Sequence, residues 1–490
     1  MAIFYRKLFF WIFVLLFLTT TPVAILYSQG YRFDQYKKIF IHSGSITVKS
    51  TPASASIYLN GKLQSSSAFN IINNSTTING LRPGNYDLKI SADGYGTWEK
   101  NVDVHSGVST EFWNIVLAPQ KNTPKELSAD GALRYFPSPF GKNVAYVKKN
   151  GENMEIWSIV RSSNVPTLIL SQKDFDFSSD AFENIEWNTK ETLFIVPVDH
   201  NGKNDFVVLD SGKGQDPIFL SQITGLSGMD HVRWSPANQN EIYFVAKDDS
   251  GAQDNLYRMD LGAGKPEIIL EGIKAYDLSK NSIYFLQQNN IVYKTDLDGK
   301  NEDQLVLAPI DLSDANEKTR LIAYDDNRQA IVSESGELYV HNNGETTGDT
   351  LKKIADGIKS VQFSNDGKKL LYWSDNEINV LYLRKWDVQP RREENEVQQI
   401  VRISSPVKNV FWYRDYEHIF FSTQNSVKII ELDSRDHRAA DDIFKYNSEN
   451  FLSSYDGANG IYYYVDEIEG TRKLFYLYIP AQTNFFGGGG

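Results

Sequence analysis

Three patterns of apolar and polar positions succeed one another along this chain. From Leu8 to Tyr27 the run LFFWIFVLLFLTTTPVAILY carries 20 residues without a charge, long enough as a helix to cross a hydrocarbon core of roughly 30 Å. Trp11 and Tyr27 stand near its two ends, where aromatic rings favour the membrane interface. From Gly44 to Ala118 the period drops to two. SITVKS, SIYLNGK, YDLKISADGY, VDVHSG and EFWNIVLA alternate apolar and polar residues between Gly, Asn or Pro, which predicts short half-buried strands. Asn60-Gly61 predicts a hairpin, because both central residues of a type I′ turn need positive φ. The expectation is a short cytoplasmic N-terminus at 1–7, a transmembrane helix at 8–27, a linker at 28–43 and a small β-sandwich at 44–118.

After a linker at 119–123, residues 124–480 repeat at about 46 residues, a period that points to propeller blades. Aromatic anchors mark the register at Phe136, Trp187, Trp234, Tyr276, Tyr324, Phe363, Trp412 and Tyr455. The clearest unit, Val232 to Leu270, reads VRWSP, EIYFVAK, LYRMDL and PEIIL, four strands in meander order. Eight anchors predict about eight four-stranded blades, with a seven-bladed ring carrying one irregular insertion as the alternative. A fourth strand follows in seven units, from TLILS to DIFKY; the eighth runs instead into Pro480 and a glycine-rich tail at 481–490. Just before the first unit stands Pro124-Lys125-Glu126-Leu127-Ser128, which copies the endings of TLILS and PIFLS. Residues 125–128 are therefore expected to complete the last blade beside 473–479 and close the ring.

The fold class is all-β, and composition agrees: 27 Tyr and 28 Phe among 490 residues favour pleated surfaces on which flat rings pack. With 62 acidic against 50 basic residues the net charge is −12, which repels phosphate backbones and argues against nucleic acid as a partner. The absence of cysteine removes disulfides, thiolate metal sites and thiol nucleophiles.

The 44–118 segment resembles the PEGA domain. Pro52-Ala53-Ser54-Ala55 followed by Ile57-Tyr58-Leu59-Asn60-Gly61 matches the name-giving stretch, and Leu81-Arg82-Pro83-Gly84-Asn85-Tyr86 and Ala92-Asp93-Gly94-Tyr95 match later elements. Ala53 and Ser54 depart from the Glu-Gly of the motif. The resemblance implies a structural or adhesive module of a bacterial surface. The later units resemble TolB-like propeller repeats: Trp234-Ser235-Pro236 and Phe363-Ser364-Asn365-Asp366-Gly367 fit well, whereas Tyr324-Asp325-Asp326 and Trp412-Tyr413-Arg414 keep little beyond the aromatic.

Candidate chemistry is sparse. His42, His105, His200, His231, His341, His418 and His437 show no ligand spacing, and most of them read as surface or turn residues. No G-x-S-x-G occurs. Asp296-Leu297-Asp298-Gly299 lacks the remaining ligands of an EF-hand and reads as a hairpin turn. Ser364-Asn365-Asp366-Gly367 is a partial Asp-box without its Thr-Trp end. Arg384 to Glu396, RKWDVQPRREENE, reads as a solvated loop between two strands of the sixth unit, with Trp386 as a weak contact candidate.

No catalytic, cofactor or metal residue is assigned, and the binding residues stay open. The expected function is a non-catalytic, membrane-anchored cell-envelope protein, with the sandwich as a spacer and the propeller as a platform for envelope protein or cell-wall glycan. The alternative is an envelope glycan-processing hydrolase with paired carboxylates at the propeller channel. An inward-signalling sensor ranks last, because seven residues before the span leave no output domain. The short basic N-terminus at Arg6 and Lys7 favours a cytoplasmic start and an extracytoplasmic bulk, although Arg32, Lys37 and Lys38 nearly balance the count. A cleaved signal peptide competes with the anchor, but no small-x-small site follows the apolar run.

Overall fold

The computed structural model describes residues 2–34, 38–64, 75–173, 175–177, 185–200, 203–226, 228–247, 251, 253–314 and 316–479; the tail expected at 481–490 lies outside them. A helix, Ala2–Ser28, opens the chain. Its segment Tyr5–Ser28 has a mean hydropathy of 2.3 and none of it is buried against protein. By length and composition it can cross a membrane. The expected linker at 28–43 is instead built: Tyr31–Asp34 and Ile39–His42 pair as an antiparallel hairpin. Their apolar alternation was hidden between the charges of Arg32, Lys37 and Lys38.

The small domain holds two sheets. Gly44–Thr51 lies between Ser75–Leu81 and Ser109–Val116, and Ser56–Leu59 and Gly84–Ser91 lie between Lys62–Gln64 and Thr97–Val104. Ile46, Val48, Leu59, Leu88, Ile90, Trp98, Val102 and Phe112 from both sheets meet in one core. Asn60 and Gly61 take φ of +49° and +73°, as the hairpin signal requires. Gly84 opens strand Gly84–Ser91 with a φ of +155°.

Residues 125–478 form eight antiparallel sheets, seven of four strands and one, within 175–219, of five. Every aromatic anchor falls in a strand at one edge of its sheet, the first strand of its unit: Phe136 in Arg134–Pro137, Trp187 in Glu186–Trp187, which shares that edge with Phe175–Phe177, Trp234 in Asp230–Trp234, and so on to Tyr455 in Leu452–Asp456. Three pairs of these strands lie against each other across neighbouring sheets: Glu186–Trp187 with Asp230–Trp234, Ile273–Leu278 with Thr319–Asp325, and Lys408–Trp412 with Leu452–Asp456. Where the anchor is Trp, or Tyr276, its polar edge is used as well as its flat ring. The indole N–H groups of Trp187, Trp234 and Trp412 donate to the carbonyls of Phe136, Glu186 and Gln362, at 3.3, 3.0 and 3.0 Å, each on the preceding sheet. The Tyr276 hydroxyl does the same to His231. One residue thus fills the core between two sheets and satisfies a backbone acceptor of its neighbour. After the anchor a small polar residue turns the chain: buried Ser235 and Ser364 donate their N–H to Glu241 and Lys369 carbonyls, both at 2.8 Å.

The ring closes as the strand count predicts. Lys125–Leu127 pairs antiparallel with Thr471–Tyr478, Lys125 opposite Tyr476 and Leu127 opposite Leu474, and joins the sheet that begins at Leu452. Leu127 is buried with Tyr135, Tyr463 and Val465, between the first and last sheets. Two expected outer strands are truncated; in DQLVL only Asp303–Gln304 is a strand. In PIFLS only Ile218–Phe219 is a strand; Leu220–Thr224 is helical, because Asp205 accepts the Ser221 N–H and hydroxyl and Gly225, at φ +71°, ends the turn.

Candidate functional site

Two polar constellations stand out, one inside the arrangement of sheets and one between it and the small domain. Inside, Arg233 on one first strand lies between carboxylates on its two neighbours. Its Nε is 3.0 Å from Glu186 and an Nη is 3.2 Å from Asp277. The second oxygen of Asp277 accepts the Ala323 N–H at 2.9 Å, so this cluster stitches four successive first strands together. Burial raises the Glu186 carboxyl above its usual range despite the pairing with Arg233. The arrangement puts two carboxylates near each other, but a guanidinium holds both.

The second constellation is larger. Lys100, on strand Thr97–Val104 of the small domain, is fully buried, with Nζ 2.6 Å from Glu431 Oε1. The same ammonium donates to the carbonyls of Asp433, Arg435 and His437 at 3.0, 2.9 and 2.6 Å. Glu431 also accepts the Trp98 indole N–H at 3.0 Å and the Ala439 N–H at 2.8 Å. Every partner a buried ammonium and carboxylate need is present, which is the condition for keeping such a pair out of water. Around it, the Asn101 N–H donates to Asp436 at 2.9 Å. Arg435 donates to the Glu111 carbonyl at 2.7 Å and stacks 3.9 Å over the Phe112 ring.

The Arg384–Glu396 segment takes part in this junction, which corrects its reading as a solvated loop. Gln389 accepts the Glu111 N–H at 3.1 Å and donates to the Ser109 carbonyl at 2.9 Å, pairing with the open edge of strand Ser109–Val116 as another strand would. Trp386 packs inward, with the Lys369 ammonium 3.9 Å from its ring. Buried Glu394 accepts three successive N–H groups, from Glu345, Thr346 and Thr347. Between the two domains Phe112, Ile115, Gln389, Glu417, Glu431 and Arg435 line a cavity of about 30 Å³, room for a single water. The expectation of a spacer is corrected in the same way: the small domain is fixed to the side of the sheets.

Strand Thr97–Val104 carried the missed signal. Its buried positions alternate as Trp98, Lys100, Val102 and Val104, so Lys100 stands in phase with the apolar face, where a lysine requires a partner.

The remaining expectations resolve case by case. His341 and His418 are buried rather than surface residues: His341 lies 2.6 Å from Asp349 and His418 2.8 Å from Asp415. Asp296 accepts the N–H groups of Asp298 and Lys300 and the Asn301 amide, and Asp298 pairs with Arg258 at 2.6 Å, so these carboxylates close a turn. Among the described residues no group of three His, Asp or Glu is placed to hold a metal. In the partial Asp-box, Ser364 donates to Asp366 at 2.7 Å, and Tyr324 of the preceding sheet reaches the Asn365 carbonyl at 2.9 Å.

Residues 43–119 match the PEGA domain family. No curated protein matches the chain by sequence. Among solved structures it is similar to the C-terminal WD40 domain of Sif2, at 12% identity over 74% of this chain and 99% of that one, with a TM-score of 0.47. It is also similar to the β-propeller domain of Cps50 (Swd1) from Myceliophteria thermophila, at 11% identity over 74% and 100%, TM-score 0.45. A third likeness is the β-propeller domain of the trilobed protease from Pyrococcus furiosus, at 13% identity over 73% and 95%, TM-score 0.35. These are likenesses of fold. The chain thus combines an apolar N-terminal helix, a PEGA domain and a β-propeller.

Proposed function

We propose that this protein is a non-catalytic, membrane-anchored scaffold of a bacterial cell envelope. The N-terminal helix is the anchor, with its N-terminus in the cytoplasm, and an eight-bladed, TolB-like propeller and a PEGA sandwich lie outside. The buried Lys100–Glu431 pair carries the reading. It joins the two domains into one body whose propeller loops face a partner in fixed positions, so little ordering entropy is lost on binding. The partner class is envelope protein or cell-wall glycan.

The rival reading, a glycan-processing hydrolase, draws on Glu186, whose carboxyl is raised by burial next to Asp277. Against it stands Arg233, which ties up both carboxylates. The test uses the full chain in nanodiscs, offered purified cell-wall glycan strands and solubilised envelope proteins. The scaffold reading predicts retention of one of these classes with no new reducing ends from the glycan. Retention of neither above a heat-denatured control overturns it. Release of reducing ends by the wild type but not by Glu186→Gln establishes the hydrolase.

A further inference from the structure

We infer that the strand pair Tyr31–Asp34 and Ile39–His42 is a foot that lies in the headgroup layer of the bilayer and holds the small domain at a fixed stand on the membrane surface. This rests on the reading of the N-terminal helix as an anchor. The two strands present exposed apolar side chains: Phe33 is 45% exposed, Ile39 52% and Phe40 39%. Phe33 and Phe40 are cross-strand partners with ring centroids 5.4 Å apart, so they form one aromatic patch. The exposed basic residue Lys38 stands beside it.

The bilayer is the occupant because the patch is continuous with the helix that enters it. At about 1.5 Å per residue, Tyr5–Ser28 spans roughly 36 Å against a hydrocarbon core of about 30 Å. The last turn, with Tyr27, therefore emerges at headgroup level, where aromatic and basic side chains are both favoured. Arg32 binds the hairpin to that turn. Its guanidinium lies 4.0 Å from the Tyr27 ring and donates to the carbonyls of Tyr27 and Tyr31, both at 3.0 Å, placing a cation at the negative end of the helix.

The junction is not a loose tether on either side. His42 Nε2 donates to the Gln29 carbonyl at 2.9 Å, and the Ser43 N–H donates to Gly30 at 3.0 Å. From the small domain, the Ser106 hydroxyl donates to the His42 carbonyl at 2.9 Å and the Gly107 N–H to Ser43 at 3.2 Å. Gly107 is needed there: its φ is +74°, and a Cβ would fall 2.4 Å from His42 Nδ1.

The chain has no cysteine, so single-cysteine variants give unambiguous labels. The full-length protein in liposomes is labelled with an environment-sensitive fluorophore at Ile39→Cys or Phe40→Cys. Leu16→Cys in the helix and Leu307→Cys on the propeller, where Leu307 is 84% exposed, serve as references. Each label is challenged with lipid-borne nitroxides near the headgroups and with aqueous iodide. The inference predicts that a hairpin label is quenched by headgroup nitroxide at least several-fold more than the Leu307 label and is shielded from iodide. Hairpin labels as open to iodide as Leu307, with Leu16 shielded, overturn the foot and leave the anchor standing. If Leu16 is open to iodide too, the anchor reading falls and takes the foot with it.

Discussion

Replacing Lys100 by methionine is expected to loosen the small domain from the propeller without unfolding either. The substitution keeps the length and apolar stem of the side chain and removes the ammonium. Three carbonyls, of Asp433, Arg435 and His437, lose their common donor, and Glu431, only 5% exposed at its side chain, loses its counter-charge. Removing one partner of a buried ion pair costs about 3–5 kcal/mol. Glu431 keeps the Trp98 indole and the Ala439 N–H, which places the cost at the lower end, about 3 kcal/mol. Two amides report on the junction directly, because their N–H groups cross it: Asn101 to Asp436 and Glu111 to Gln389. In the regime where exchange follows local opening, about 3 kcal/mol corresponds to roughly 10²-fold faster hydrogen exchange at these amides. Amides in the strand Glu241–Lys247, well away from the junction, keep their protection. Adding Glu431→Gln removes the uncompensated charge and is expected to restore part of the loss. Exchange at Asn101 and Glu111 unchanged in Lys100→Met refutes the reasoning, because the pair would then hold nothing together.

Leu127→Ala tests the closure of the ring: truncating a leucine buried between the first and last sheets costs about 2–5 kcal/mol and frees an edge that promotes aggregation; chemical denaturation and light scattering read both, and unchanged values in each contradict the closure. Gly367→Ala meets two penalties, a φ of +64° and a Cβ 2.2 Å from the Tyr324 ring, together about 2–4 kcal/mol; wild-type stability by the same denaturation would show that the turn does not pack under Tyr324. His418 gives a pH signature. Burial lowers its pKa, but Asp415, with Glu431 and Glu417, outweighs burial and raises it above 6.5. The charged form is therefore favoured by folding, and its contribution is full below pH 6.5 and lost as pH climbs through the raised value. Stability of the wild type relative to His418→Asn is expected to fall across that window, and a flat difference contradicts the ion pair.

Where the fold was legible in the sequence, the physics was local or periodic. The aromatic anchors declared themselves because each fills a seam between sheets, and the tryptophans Trp187, Trp234 and Trp412 also reach a neighbour's carbonyl in the same way. Closure by Lys125–Leu127 followed from counting strands, since an outer strand absent at one end and spare at the other have one economical pairing. What escaped was set by contacts across long stretches of chain. Arg384–Glu396 has the composition of a solvated loop, and nothing near it in sequence shows that Gln389 meets Ser109 and Glu111. Lys100 gave a faint signal through its phase in an alternating strand, yet its partner Glu431 is 331 positions further on. The hairpin at 31–42 was lost because two four-residue strands among basic residues make a weak period. Nothing in the spacing of the histidines marked His341 and His418 as the buried ones, each beside a carboxylate.

The central claim, that the PEGA domain and propeller form one body held by the N-terminal helix on the outer side of a membrane, is most directly tested by thiol accessibility. A full-length Leu307→Cys protein, carrying a single cysteine on an exposed propeller position, is expressed in intact cells and treated with a membrane-impermeant sulfonated maleimide small enough to pass outer-membrane pores. The account predicts labelling of membrane-bound protein in intact cells to the same extent as after lysis. Labelling that occurs only after lysis, or labelled protein found free of the membrane, contradicts it.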